Sequence, residues 1–251
     1  MTKPKKSLGQ NFFINNNLAK QIANIVEKNN PDVIVEIGPG EGYFSKLFSN
    51  SETDIIMIEK DDILAQNLSF LFPKNIIVNE DFLEWDFKEL AKYKREKTTF
   101  FGSLPYNVSK HIIKKIVESE YFKNSAYFII QKEVAQKYTE REPNNNLLSL
   151  RTQMLADTKK LFDIGPESFK PRPKVTSSFV EFSPTKKHVQ VKDLIKFDEF
   201  TTDAFKQPRR KLSNNLKKYT FIVNDKTENL LEKRPQHLSL DDYIFLFSNI
   251  S

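Results

Sequence analysis

The 251-residue chain has no cysteine, which excludes disulfides, thiolate metal sites and a cysteine nucleophile, and fits a reducing compartment. Histidine is nearly absent as well: three are scattered along the chain, so a zinc site is not expected. No apolar run is long enough to cross a bilayer. The start MTKPKKSLGQNFF is not followed by an apolar segment with a small-residue cleavage site. The expectation is a cytoplasmic protein with neither a metal nor a membrane anchor. Internal repeats and low-complexity tracts are also missing.

Two stretches lack acid. From Lys170 to Lys192 six basic residues face Glu181 alone, and from Lys206 to Lys218 six more face no acid at all. With a formal charge of +6 and a pI near 9.2, this distribution points to a phosphate backbone as partner. Lys170, Arg172 and Lys174 in the first run, and Arg209, Arg210 and Lys211 in the second, are the candidate nucleic-acid contacts. The last three are read as part of a basic helix.

The length suits one large domain, or a main domain with a small appendage. The first half alternates apolar runs with amphipathic pieces, as an α/β, Rossmann-like, doubly wound and mostly parallel sheet does. Strands are expected at Val33–Ile37, Asp54–Glu59, Asn75–Asn79, Thr99–Gly102 and Ala126–Gln131, with SSFVEF closing the half at Phe182. Helical segments are expected at Gly42–Phe48, Ile63–Leu71 and Ser109–Glu118. After the linker-like SPTKK the pattern turns helical, and the last helix opens on a capping-box-like Ser239-x-x-Asp242. The expected division is a main domain over 1–183 and a small helical domain over 184–251, which carries the second basic run.

Chemistry concentrates just after the strands. VIVEIGPGEG puts Gly38, Gly40 and Gly42 behind a buried strand, where glycine lets backbone approach a ligand. The third glycine comes one residue too early for a dinucleotide fingerprint, and Pro39 stiffens the turn. The ligand expected here is a nucleoside without a diphosphate. Glu59, ending the second strand, can accept from both ribose hydroxyls, and Asp81, past the third, from an adenine amino group. In FFGSLPYNVSKHII, Pro105 holds the backbone so that the Leu104 carbonyl is presented, with the Ser103 side chain on one side and the Tyr106 ring on the other. An exocyclic adenine amine is a weak nucleophile because its lone pair is delocalised into the ring. Accepting both its N–H groups, at Ser103 and at the Leu104 carbonyl, while the base stacks on Tyr106, favours a tetrahedral nitrogen that can attack a sulfonium methyl.

SLGQNFFIN, VEIGPGEG, IEKD, NEDFLEWD, SLPYNVS, QKEVAQKY, FKPRPKVTSSFVEF and KQPRRKLSNNL stand in the order found in ribosomal RNA adenine dimethyltransferases. The chain resembles that family from about Ser7 to about Leu246, and within it most resembles the bacterial small-subunit enzymes. The resemblance implies a class I methyltransferase fold with S-adenosylmethionine as cofactor. The implied reaction is N6,N6-dimethylation of two adjacent adenosines near the 3′ end of 16S rRNA, and the implied partner is an immature small ribosomal subunit met by a monomer. By matching position, Asn11, Phe13, Gly38 and Gly40 would lie against the cofactor, Glu59 on its ribose and Asp81 on its adenine. Ser103, Leu104, Pro105 and Tyr106 would hold the target base, with Ser103 also bordering the cofactor. The family usually has Asn where this chain has Ser103, which bears on the rate and completeness of dimethylation. Two other readings stay open: a large-subunit rRNA methyltransferase of the antibiotic-resistance type, and a non-catalytic RNA-binding assembly or transcription factor that keeps the fold. The GQNF start and RRKLSNNL favour the small-subunit enzyme over the first. Binding of S-adenosylmethionine separates the second.

Overall fold

The computed structural model of the chain describes residues 11–48 and 53–251, so the Ser7–Gln10 part of the N-terminal motif lies outside the described residues. The chain divides into two compact units. One extends to Ala135 and resumes at Lys159–Pro184; the other comprises Gln136–Thr158 and Thr185–Ser251. The expected division at 183/184 is therefore corrected for one internal segment. Gln136–Thr158 clusters with the C-terminal residues because its Leu150 and Met154 pack in the same core as Phe197 and Leu240.

The first unit contains β1 (Phe12–Phe13), α1 (Asn16–Glu27), β2 (Val33–Ile37), α2 (Ser45–Phe48), β3 (Asp54–Ile58), α3 (Asp62–Leu71), β4 (Ile76–Val78), β5 (Thr98–Ser103), α4 (Ser109–Val117) and β6 (Ala126–Gln131). α5 (Lys132–Thr139) runs across the division, α6 (Leu147–Gln153) lies in the second unit, and β7 (Ala156–Ile164) returns to the first, which closes with β8 (Phe169–Lys170) and β9 (Ser177–Pro184). Seven strands form one sheet in the order β4-β3-β2-β5-β6-β9-β7. β4, β3, β2, β5 and β6 run parallel, and β9 is antiparallel to β6. β2 is buried along its whole length, as a central parallel strand covered on both faces must be. α1 turns Ala19, Ile22, Ala23 and Val26 inward, and Asn15 caps it by accepting from the Leu18 N–H.

Strand order reverses at β2: the chain builds outward through β3 and β4, then returns to start β5 on the other side. A doubly wound sheet binds its ligand at that crevice. The register decides what faces it. Ile37 pairs with both Ile58 and Gly102, and Ile58 with Val78. Gly38, Glu59, Asn79 and Ser103 consequently emerge in one row at the carboxyl ends of adjacent strands.

Three strands depart from expectation. β7, with the sequence ADTKKLFDI, is a strand that the apolar pattern does not reveal, since its side chains are mostly exposed or half-buried. β1 and β8 form a separate antiparallel pair, with Phe12 opposite Lys170 and Phe13 opposite Phe169.

In the second unit, α6 joins α7 (Leu194–Ala204), α8 (Leu212–Asn215), α9 (Asp225–Leu231) and α10 (Leu240–Ser248) around Phe197, Phe200, Leu212, Leu230, Tyr243 and Leu246. The Ser239–Asp242 capping box of α10 forms as expected. The basic helix does not. Arg209 and Arg210 lie in a turn, Lys211 is the N-cap, and α8 starts only at Leu212. The Arg210 N–H closes a tight turn on the Gln207 carbonyl at 2.9 Å, and the Asn215 side-chain amide donates to the same carbonyl at 3.1 Å, so this segment is held as a turn ahead of α8.

Candidate active site

A cavity of about 560 Å³ opens within the first unit at the carboxyl ends of β2, β3 and β5, a size usual for small-molecule sites. Asn11, Phe13, Gly38, Gly40, Glu59, Asp81 and the whole 103–106 turn border it.

Gly38, Gly40 and Gly42 all have φ between +60° and +75°, the left-handed region that side chains rarely adopt. At Gly38 an added Cβ would meet nothing within 4 Å, so the open space beside that backbone is available to a ligand. At Gly40 it would come to 3.0 Å from the Phe12 ring. Phe12 thus covers the glycine turn, while Phe13, 4 % exposed, packs against Phe44 and Phe169 and is mainly a core residue at the cavity's edge.

Glu59 is 6 % exposed. Its Oε2 accepts from the Gly40 N–H at 3.0 Å and its Oε1 from the Asp61 N–H at 2.9 Å, which ties the end of β3 to the glycine turn. Burial raises its pKa above the usual carboxylate value, and these N–H bonds oppose the shift. With the Lys60 N–H as a further donor, the carboxylate keeps acceptor capacity for a hydroxyl. Behind it, Glu36 of β2 is wholly buried and takes a hydrogen bond from the Ser45 hydroxyl at 2.6 Å. Burial, with a smaller push from Glu59, drives its pKa up to about 8 against the pull of Ser45.

Asp81 lies three residues past β4. Its Oδ1 accepts from the Leu83 N–H at 2.9 Å and its Oδ2 sits 2.6 Å from Lys60 Nζ. Burial pushes its pKa up, but the bonds from Lys60 and the Leu83 N–H and the charges of Lys60 and Lys115 outweigh it and leave the pKa below the usual value. The ammonium of Lys60 therefore shares the carboxylate that an adenine amino group would use.

At the end of β5 the Leu104 N–H donates to the Ile129 carbonyl at 3.0 Å and the Pro105 carbonyl accepts from Ser109 at 3.0 Å. Among the described residues no hydrogen bond reaches the Leu104 carbonyl or the Ser103 hydroxyl, so both acceptors are available at the cavity. The Tyr106 hydroxyl meets the Ser177 hydroxyl of β9 at 3.0 Å, which fixes the ring. Burial raises the Tyr106 pKa, against the Ser177 bond, so the phenol stays neutral near pH 7 and serves as a face rather than a base.

The candidate basic residues divide between the two units. Lys170, opposite Phe12, borders the cavity itself. Arg172, 3.9 Å from Glu167, and Lys174 are exposed in the same unit. In the second unit Arg209 and Arg210 are exposed with no ion pair among the described residues, whereas Lys211 Nζ lies 2.6 Å from Glu232.

Phe12, Lys60 and Ser177 belong to the site without being evident in the sequence pattern, and so does Glu36, whose one signal there is an acid inside an apolar strand. No group of three or more metal-ligating side chains occurs among the described residues, and none of their helices is long and apolar enough to cross a membrane.

A family model described as ribosomal RNA adenine dimethylase matches residues 1–240. The protein named ribosomal RNA small subunit methyltransferase A from Chlorobium phaeobacteroides is 34 % identical over 248 residues, covering 98 % of this chain and 91 % of that protein. Among solved structures, a dimethyladenosine transferase from Plasmodium falciparum matches with a TM-score of 0.77 at 19 % identity, over 94 % of this chain and 95 % of that one. The 23S rRNA methyltransferase ErmE matches with a TM-score of 0.75 at 22 % identity, over 95 % and 98 %. At such identities the two structures speak for the fold alone.

Proposed function

The chain belongs to the ribosomal RNA adenine dimethylase family, and we propose that it dimethylates N6 of two adjacent adenosines near the 3′ end of small-subunit rRNA. It does so as a cytoplasmic monomer acting on an immature small subunit, with S-adenosylmethionine as methyl donor. The observation that carries this reading is the row of strand ends. One cavity is bordered by a glycine turn with ligand space beside it, a buried carboxylate, and a turn whose side-chain and carbonyl acceptors are unused.

The residues present suit the cofactor. Gly38 leaves room for close backbone approach, Glu59 accepts from ribose hydroxyls, and Asp81 accepts from the adenine amine beside Lys60. Asn11, Phe13 and Gly40 complete the wall. S-Adenosylmethionine supplies, when bound, an electrophilic methyl group on a sulfonium sulfur. Ser103 Oγ and the Leu104 carbonyl accept the two N–H groups of the target amine and draw its lone pair out of conjugation. Pro105 keeps that carbonyl presented, and the Tyr106 ring, anchored on Ser177, stacks on the base. No side chain of the 103–106 turn is a base near pH 7, so the amine proton passes to solvent after transfer.

Lys170, Arg172, Lys174, Arg209 and Arg210 contact RNA phosphates, and Lys211 does so in competition with Glu232. The small-subunit reading is favoured over the large-subunit one by the 34 % relative, since the fold is common to both.

The test is methyl transfer from labelled S-adenosylmethionine to ribosomal subunits purified from cells lacking the gene, followed by mapping of the modified nucleotides. Two adjacent dimethyladenosines in small-subunit RNA are expected. Modification confined to large-subunit RNA would replace this reading with the second. Absence of both methylation and calorimetric S-adenosylmethionine binding would leave a non-catalytic RNA-binding protein.

A further inference from the structure

The loop that carries Asp81 is closed around a lysine from a different element. Lys115 of α4 is half-buried, and its Nζ donates to the carbonyls of Phe82 at 3.0 Å, Leu83 at 2.6 Å and Trp85 at 2.6 Å. The same ammonium lies 5.6 Å from the ring centre of Phe82 and 5.3 Å from that of Phe87. Three carbonyls of one short loop that turn toward a single point repel one another and lose water unless donors fill that point, and the Lys115 ammonium supplies three N–H donors and a positive charge there. The loop is also strained, since Phe87 has φ +64°, and its ring holds against Trp85 at 4.8 Å and Tyr121 at 5.7 Å.

Leu83 connects this cage to the cavity. Its carbonyl receives Lys115, and its N–H donates to Asp81 Oδ1 at 2.9 Å. We propose that Lys115 is a positioning residue for cofactor binding, its ammonium acting as the loop's built-in cation and aiming the Asp81 carboxylate at the adenine. The proposal rests on the reading of the cavity given above. Glu80, Asp81, Glu84 and Asp86 favour the charged lysine, against its burial, which acts most strongly and lowers the pKa.

Trp85 is the chain's only tryptophan and lies in the cage, so its fluorescence reports the loop without any assay of activity. Calorimetric titration with S-adenosylhomocysteine compares wild type with Lys115→Ala, and with Lys115→Met if the alanine variant does not fold. The variant is expected to bind about tenfold more weakly, to shift Trp85 emission to longer wavelength, and to keep kcat at saturating S-adenosylmethionine within about twofold of wild type. Propylammonium chloride, which replaces the part of the side chain that alanine lacks, should restore both affinity and emission. Tetramethylammonium chloride, which has no N–H, should not. Unchanged affinity, or loss of kcat in proportion to affinity with no response to propylammonium, would overturn the proposal. A wild-type protein that fails to bind S-adenosylhomocysteine would remove the cofactor reading together with it. Wild-type binding matched by the variant would remove this proposal alone.

Discussion

The loops after β2 and β4 border the same cavity and are held in place in opposite ways. The first, Gly38–Gly42, is shaped mainly by its own backbone: three glycines at positive φ and a proline between two of them specify the turn, with one outside tether from the Gly40 N–H to Glu59. The second, 79–87, has no glycine and four acids, and takes its shape from Lys115, 32 residues beyond Leu83. The target-base turn combines both: Pro105 acts locally, while the Tyr106 ring depends on Ser177, 71 residues away. Locally shaped turns tolerate change elsewhere but not within; propped loops fail when a distant partner is altered.

The largest effect expected is at the propped ring. Tyr106→Ala should lower kcat about a hundredfold, by loss of stacking, while S-adenosylmethionine affinity stays within about twofold. Single-turnover assays with parallel calorimetry check it, and proportional loss of both would erase the division between cofactor and base regions.

Gly42→Ala breaks the local turn. The new Cβ would stand 2.6 Å from the Phe72 ring at a φ of +75°. Urea unfolding should show a loss of about 2 to 4 kcal/mol. A loss below about 0.5 kcal/mol would mean that the turn, like the β4 loop, is held from outside.

Glu36→Gln tests the acid behind the glycine turn. The folded pKa of about 8 exceeds the ordinary 4.5, so the folded chain retains a proton that the unfolded chain releases. Stability should therefore be fully present below about pH 4.5, fall as pH rises, and level off above about pH 8, by an amount on the order of a few kcal/mol. Chemical unfolding across that window should show a shallower slope in the glutamine variant; equal slopes would take Glu36 out of the pH response.

Ser103→Asn is the mildest change. It restores the acceptor usual in the family, and total methyl transfer should stay within about threefold while the proportion of dimethyl over monomethyl product rises. Chromatography of nucleosides from single-turnover reactions resolves the two, and an inactive variant would show a turn refitted around serine.

β2 and β6 stand at the limits the sequence predicts, and β3 and β5 within a residue, because unbroken apolar runs bounded by turn residues are strong local signals. The glycine turn, Glu59, Asp81 and the Leu-Pro-Tyr turn are likewise visible from their places behind those runs. β7 escapes because its Lys159, Lys160 and Asp163 are surface residues of an edge strand. The basic stretch 209–211 precedes α8 instead of joining it, because charge density carries no helical period by itself.

Most core strands, the residue types at their ends and the chemistry those suit are written in the sequence, since periodicity, glycine freedom and proline restriction act over a few neighbouring residues. Sheet register, which the sequence does not show, aligns Ile37 with Ile58 and Gly102 and brings Gly38, Glu59 and Ser103 into one row. The tertiary structure alone set Phe12 beside Lys170, Ser177 under Tyr106 and Lys115 inside the Asp81 loop. Those contacts join residues tens to more than a hundred positions apart, and a hydrogen bond of that kind leaves no periodic trace in the chain because its partners are chosen by sheet register and helix packing.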